Sequence, residues 1–343
     1  MFVRNADIIV VNWLSRRKLL HSQVIIGSEN QMKIGLDIMG GDLAPKATTR
    51  GAILARKELP PDVELVLIGD KQAIETTCRE ENFDPGNFLV IPTTEVIGMG
   101  DHPVKAFSLK RDSSMGVGFK MLAEGKLDGF CSAGNTGAMM AGAMFTIKSI
   151  PGIIRPCIGV SIPKGENEYT LLLDVGLNPD ARPDVMYQYA VMGSFYSEHV
   201  HGVINPKVGL LNIGEEEEKG NLLSKAAYQM MKDSRDFNFI GNVEGNEIFA
   251  DKADVVVCEG FIGNVVLKLA ESFYDLSQKL RISNPFFEKY NYENFGGIPI
   301  IGIGSPVLIG HGKSTPLAIK NMLIKNRELV QSGIIKKLKQ AFE

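Results

Sequence analysis

The residues best suited to chemistry in this sequence stand in glycine- and asparagine-bearing turns, each directly after a short apolar run. Met39-Gly40-Gly41-Asp42 follows KIGLDI, and Ser132-Ala133-Gly134-Asn135-Thr136-Gly137 follows DGFC. Val175-Gly176-Leu177-Asn178 follows TLLLD, and Gly214-Glu215 through Lys219-Gly220-Asn221 follows VGLLNI. Glu259-Gly260-Phe261-Ile262-Gly263-Asn264 follows DVVVC. Glycine permits positive φ and close approach of backbone to a ligand. Exposed amides at a helix start favour an anion. One such turn is ordinarily only a turn; five of them predict one sheet edge carrying an anion pocket.

The elements that must position these turns are legible in the apolar runs. Candidate strands are Lys33–Ile38, Val63–Ile68, Phe88–Ile91, Asp128–Cys131, Cys157–Ile162, Thr170–Asp174, Lys207–Ile213, Asp254–Cys258 and Val307–Ile309. Runs such as TLLLD and DVVVC suit strands buried on both faces, as in a parallel sheet between helix layers. Strands alternating with helical stretches predict an α/β fold with a doubly wound, mostly parallel sheet and helices on both faces. Ligands of open sheets of this kind bind outside the carboxyl ends of the strands. Val266, Leu269, Phe273, Leu276 and Leu280 recur at helical spacing and predict an amphipathic stripe for core packing, a dimer seam or docking.

Composition narrows the function. The 343-residue chain has a formal net charge of −3, without the basic excess of a nucleic-acid binder. Its four cysteines, Cys78, Cys131, Cys157 and Cys258, are scattered singly, unlike a zinc site or a disulfide framework. His199 and His201, two apart in a helical-looking stretch, do not share a helix face and predict no metal pair. Gly312-Lys313-Ser314-Thr315 imitates the end of a P-loop, but Val307 stands where its first glycine must be. The same valine breaks the dinucleotide fingerprint begun at Gly302 and Gly304. Neither a G-x-S-x-G elbow nor an H-E-x-x-H motif occurs. No run reaches the ~18 apolar residues of a membrane-spanning helix. Residues 1–31 place Arg16, Arg17 and Lys18 after a short apolar run, the reverse of a signal peptide. They are expected to be a dispensable extension, with 32–343 a single catalytic α/β domain carrying a short helical excursion at about 265–295.

A longer pattern is more specific. DIMGGDLAP (Asp37–Pro45), VIGMGDHPVKAF (Val96–Phe107), KRDSSM (Lys110–Met115) and CSAGNTGAMMA (Cys131–Ala141) come first. LLLDVGLN (Leu171–Asn178), GLLNIGEEEEKGN (Gly209–Asn221) and FIGNVEGNEIF (Phe239–Phe249) follow. ADVVVCEGFIGNVVLK (Ala253–Lys268) and GIPIIGIGSPVLIGHGKS (Gly297–Ser314) complete the series. In order and spacing these segments resemble the PlsX phosphate acyltransferase family, from Met32 to the end of the chain. The resemblance implies a fold related to isopropylmalate dehydrogenase and phosphotransacetylase. It implies a cytoplasmic enzyme, with possible peripheral membrane contact, making acyl phosphate from acyl-acyl carrier protein and inorganic phosphate early in bacterial phospholipid synthesis. It further implies a homodimer and no organic cofactor or metal.

Such a reaction needs no covalent enzyme nucleophile, because phosphate carries its own. The protein must hold phosphate, align the thioester and stabilise an oxyanion. Amides of the turns containing Gly40, Gly41, Gly134, Thr136, Gly214, Gly220 and Gly260 are candidates for holding substrate. Asn135, Asn178, Asn221 and Asn264 add side-chain donors. Lys219 is the preferred cation, with Glu215 and Glu216 placed to position it; Lys110 and Arg111 are second candidates for phosphate. His311 between two glycines is the candidate proton donor to the leaving thiolate. Asp37 and Asp42 are expected to orient donors and cap the following helix. The alternatives are a phosphotransacetylase-like enzyme using acyl-coenzyme A, a metal- and NAD-dependent dehydrogenase on the same sheet, and a silent phosphate- or acyl-binding regulator.

Overall fold

Apolar runs of leucine, isoleucine and valine become strands because alternate residues bury against helices on opposite sides of one sheet. Ile34 and Leu36 of the first strand are fully buried on one face, and Val66 and Ile68 of its neighbour on the other. Each such side chain contributes about 1.5–3 kcal/mol. The computed structural model describes residues 31–165 and 168–343, so nearly all of the expected extension lies outside the described residues.

The strands are β1 (Met32–Asp37), β2 (Val63–Gly69), β3 (Leu89–Pro92), β4 (Gly129–Ser132), β5 (Cys157–Pro163), β6 (Tyr169–Leu173), β7 (Lys207–Asn212), β8 (Asn238–Glu244), β9 (Val255–Val257), β10 (Ile298–Ile301) and β11 (Val307–Ile309). They form one 11-stranded sheet in the order β3-β2-β1-β4-β11-β10-β5-β6-β9-β7-β8. The helices are α1 (Lys46–Glu58), α2 (Lys71–Glu80), α3 (Pro103–Leu109), α4 (Ser114–Ala123), α5 (Thr136–Gly142), α6 (Pro183–His199), α7 (Leu222–Met231), α8 (Gly260–Lys279), α9 (Pro285–Glu288), α10 (Tyr292–Phe295), α11 (Pro316–Gln331) and α12 (Ile334–Phe342). Residues of α1, α6, α11 and α12 pack in one core with Ile34, Leu171 and Val255. On the other face, α4 and α5 share a core with Phe130, and α8 shares one with Leu172. The doubly wound, mostly parallel α/β expectation holds.

Strand direction departs from expectation. β10 is antiparallel to both β11 and β5, and β5 is antiparallel to β6. Strands β1 to β5 and β11 therefore run one way, and β6 to β10 the other. The turns after β1, β4 and β11 lie at one edge of the sheet, here the upper edge. Those after β6, β7 and β9 lie at the opposite, lower edge. A single shared edge is thus incorrect. An apolar run reveals that a strand is buried and is silent about its direction. β10, one of two strands not singled out from the sequence, supplies part of the reversal; β8 is the other.

The stripe on α8 also divides. Val266 and Phe273 pack against the core beside Leu267 and Ala270. Leu269, Leu276 and Leu280 are exposed, because the stripe straddles the boundary of the buried face.

Candidate active site

At the upper edge, Asp37 ends β1 and is buried. Its carboxylate accepts from the Met39 amide at 3.0 Å and the Ser132 hydroxyl at 2.7 Å, while Ser132 Oγ accepts from the Gly134 amide at 2.9 Å. One acid therefore ties the turn after β1 to the turn after β4. Burial pushes this carboxyl above its ordinary range, against the opposing effect of bonds from Ser114 and Ser132. A Cβ at Gly40 would stand 2.5 Å from Asp37 Oδ2 and 2.8 Å from the Gly134 nitrogen, so the junction accepts only glycine. The Asp42 amide donates to the Gly312 carbonyl at 2.7 Å, which joins the turn after β11 to this cluster.

Asn135 caps α5, its Oδ1 accepting from the Ala138 amide at 3.0 Å. Its Nδ2 donates to the carbonyls of Met99 at 3.0 Å and Asp101 at 3.1 Å, pinning that loop against the helix start. Lys110 Nζ stands 2.6 Å from Asp101 Oδ2 and 2.7 Å from the Val96 carbonyl. The ammonium's hydrogen bond holds the Asp101 carboxyl below its ordinary range. His311 is exposed; its Nδ1 accepts from the Lys313 amide at 3.2 Å, which assigns the proton of the neutral ring to Nε2.

The lower edge is built around Asp174, fully buried just after β6. It accepts from the amides of Ile158 at 3.0 Å and Asn178 at 2.6 Å, and from Asn178 Nδ2 at 3.1 Å. Burial pushes this carboxyl up as well. Asn178 Nδ2 also donates to the Pro156 carbonyl at 2.8 Å, and the Gly260 amide donates to the Asn178 carbonyl at 2.9 Å. Glu259 caps α8, and Asn264, its fifth residue, lies beside Gly176. At the end of β7, Asn212 Nδ2 donates to the Lys219 carbonyl at 3.1 Å and to Asn242 Oδ1 at 3.0 Å, while Asn242 Nδ2 reaches the Glu216 carbonyl at 2.8 Å. These amides hold the acidic turn in shape. Gly220 sits at φ +93°, where a Cβ would fall 2.3 Å from Asn212 Oδ1. Asn221 caps α7 through the Ser224 amide at 2.8 Å. A cavity of about 250 Å³ opens here, lined by Asn212, Gly220, Asn221, Cys258, Glu259 and Ile262 among others.

Of the candidates read from the sequence, Asp37, Gly40, Gly41, Asp42, Lys110, Gly134, Asn135, Thr136 and His311 gather at the upper edge. Asn178, Gly214, Glu215, Lys219, Gly220, Asn221, Gly260 and Asn264 belong to the lower edge. Arg111 diverges from Lys110 into a groove beside α4, with Lys120 and Glu124. Asp42 does not cap α1: Pro45 is the capping residue and no side chain bonds there. Glu215 pairs with Lys252 at 2.5 Å, while Glu216 stands 3.9 Å from the half-exposed Lys219 ammonium. Sequence reasoning gave no role to Ser132, Asp101, Asp174, Asn212 or Asn242. Ser132, Asp174 and Asn212 share with Asp37 the signal that finds them: a polar residue ending an apolar run. The cysteines are free and buried, and burial raises the thiols of Cys131, Cys157 and Cys258, which disfavours a thiolate nucleophile.

This geometry has relatives. A family model described as fatty acid synthesis protein matches residues 32–337. The chain is 41% identical over 329 residues to the phosphate acyltransferase of Halothermothrix orenii, covering 90% of this chain and 98% of that protein. It is 41% identical over 331 residues to the phosphate acyltransferase of Brevibacillus brevis, covering 91% and 98%. Among solved structures, a phosphotransacetylase from Streptococcus pyogenes superposes with a TM-score of 0.61 at 18% identity, over 89% of this chain and 94% of that one. That likeness is one of fold. The sequence matches span almost the whole described chain, and with them the chain belongs to the phosphate acyltransferase (PlsX) family and is an acyl-transferring enzyme.

Proposed function

We propose that the enzyme joins inorganic phosphate to the acyl group of acyl-acyl carrier protein, releasing acyl phosphate and free carrier protein for bacterial phospholipid synthesis in the cytoplasm. A phosphate oxygen attacks the thioester carbonyl, the C–O bond forms, the C–S bond breaks, and the leaving thiolate takes a proton. The observation that carries this reading is the Asp37–Ser132–Gly134 connection, which fixes two glycine turns side by side at the carboxyl ends of β1 and β4. Bonds to Asp37 and Ser132 hold these turns fixed, and donors fixed in advance stabilise developing negative charge without reorganising during the reaction. Asn135 and Lys110 act as positioning residues for the 96–110 loop, His311 stands at the rim of these turns, and Lys219 is the candidate cation of the lower edge.

Steady-state assays with acyl-carrier protein and acyl-coenzyme A, each with and without phosphate, test the substrate assignment. Phosphate-dependent release of free carrier protein supports it. Turnover of acyl-coenzyme A alone would give the site to the phosphotransacetylase-like alternative.

Two further parts belong to this reading. Residues 1–31 are dispensable, so a chain beginning at Met32 keeps full activity; a folded but inactive truncation refutes this. The exposed leucines of α8 touch a membrane surface in passing, so Leu276→Asp lowers lipid co-sedimentation at unchanged oligomeric state. Equal pelleting of wild type and variant removes the membrane contact. Among the described residues no helix is long and apolar enough to cross a membrane.

A further inference from the structure

A cavity of about 440 Å³ lies where α6, α10 and α11 meet β5 and the start of β6, and none of the turns that form the candidate active site lines it. Its walls are mixed. Tyr169, Phe295 and Ile324 bring apolar surface, with the Tyr169 ring 5.8 Å from the ring of His201 and the Tyr196 ring edge-on to it at 5.3 Å. The ionisable groups of the lining are those two tyrosines, His201, Lys325 and Glu328. Burial, helped by the Lys325 charge, pulls His201 down to about 4, so its ring is neutral near pH 7. Lys325 is pulled down by burial to about 8 and stays mostly protonated there. One cation and one carboxylate, both from α11, therefore set the charge of the cavity.

Three groups in this lining are left unsatisfied in a way that points to a ligand. A lysine and a glutamate three residues apart on a helix are neighbours able to pair. Here Lys325 Nζ donates instead to the carbonyls of Phe295 at 3.1 Å and Gly297 at 3.0 Å, which leaves its third N–H. The exposed Glu328 carboxylate has no partner among the described residues. Tyr196 is only 1% exposed, yet its hydroxyl bonds to nothing among the described residues. A buried polar group without a partner is costly, and native structures ordinarily supply one. The Ser161 hydroxyl, 2.9 Å from His201 Nε2, holds the imidazole in place as part of the wall.

We propose that this cavity binds a small zwitterion of the amino-acid class with an aromatic side chain. The ligand's carboxylate takes the remaining N–H of Lys325, its ammonium faces Glu328, and the Tyr196 hydroxyl gains the partner it lacks. Its ring packs on Tyr169, Phe295 and Ile324. A zwitterion is favoured over either single ion, because an anion alone would meet the Glu328 charge unpaired and a cation alone would meet that of Lys325. Occupation of the cavity is separate from acyl transfer, so the site stands whether or not carrier protein is the acyl donor.

Isothermal titration calorimetry on the full chain tests it with three probes of similar size. These are L-phenylalanine, phenylpropionate, which lacks the ammonium, and phenylethylamine, which lacks the carboxylate. L-phenylalanine is expected to bind at least ~10-fold more tightly than either, the scale of one charge-assisted contact. Glu328→Gln, an exposed substitution, removes its advantage over phenylpropionate, and Lys325→Met removes its advantage over phenylethylamine. Tyr196→Phe weakens L-phenylalanine binding without lowering the thermal midpoint, because the hydroxyl has no partner in the protein to lose. Lys325 also holds the 295–297 turn, so Glu328→Gln is decisive if Lys325→Met fails to fold. Wild type that binds none of the probes, or binds L-phenylalanine no better than the singly charged ones, overturns the proposal. So does an advantage over phenylpropionate that survives Glu328→Gln.

Discussion

The upper and lower edges solve the same local problem in different ways. Each has a buried aspartate where a central strand ends, Asp37 and Asp174, and each backs it with a glycine from a neighbouring strand's turn, Gly134 and Gly260. Asp37 reaches its neighbouring turn through the Ser132 hydroxyl. Asp174 takes the Ile158 amide of the adjoining strand, two amides of its own turn and the Asn178 side chain, so the 174–178 segment spends more of its donors on its own acid. A buried acid needs such partners to stay folded, and what it consumes is lost to a ligand. The comparison makes the 174–178 turn a foundation and shifts the lower edge's available chemistry to the 214–221 turn.

Glycine substitutions break the comparison hardest. A Cβ at Gly263 would lie 1.8 Å from the Asp174 carbonyl oxygen, so Gly263→Ala is expected to destabilise the lower edge and yield little folded protein, measured by thermal unfolding. Gly40→Ala forces apart Asp37, Ser132 and Gly134. Its expected result is activity down at least ~100-fold, about the effect of a 1 Å misplacement, in protein that still folds. Retained activity in Gly40→Ala would remove the upper turns from the site.

The next pair sharpens the difference between positioning and charge. Asn135→Ala and Lys219→Ala each lower acyl phosphate formation at least ~10-fold, the scale of one lost charge-assisted contact. Only Asn135→Ala also lowers unfolding free energy, by about 1–2 kcal/mol, because it removes a helix cap and uncovers the Met99 and Asp101 carbonyls. Lys219, half-exposed and loosely paired, is expected to leave stability within ~0.5 kcal/mol. Denaturant titrations of both variants, run beside rate assays, separate the two roles.

The smallest effect concerns protons. Asp37 and Asp174 are raised above 3.8, so each contributes stability that is complete below that pH and is lost as pH rises through its folded value. Asp101 is lowered, so its contribution is present above 3.8 and lost as pH falls through its folded value. Carboxyl carbon shifts followed by NMR are expected to show Asp37 and Asp174 titrating above Asp101. Asp37 titrating below Asp101 would contradict the burial argument.

Much of the fold was legible in the sequence. Runs such as VELVLI and DVVVC read directly as buried strands, whereas Asn135 and Asn221, read from the sequence as donors to substrate, cap α5 and α7. Two things were hidden. Ile298–Ile301 is a short apolar piece within a glycine-rich stretch, and nothing local tells that it pairs antiparallel with both neighbours. Asn242 acts on the 215–216 backbone from another strand, a contact that depends on the parallel register of β7 and β8. The turns were therefore identified correctly as objects and assigned wrongly to one edge, because strand direction is a property of the assembled sheet.

Phosphate meets the thioester directly, with no covalent acyl-enzyme between them, in keeping with buried, raised thiols at Cys131, Cys157 and Cys258. A rapid-mixing experiment with stoichiometric acyl-carrier protein and no phosphate tests this directly. Direct attack by phosphate releases no free carrier protein until phosphate is added; a burst approaching one equivalent per subunit in its absence means that the enzyme itself takes the acyl group.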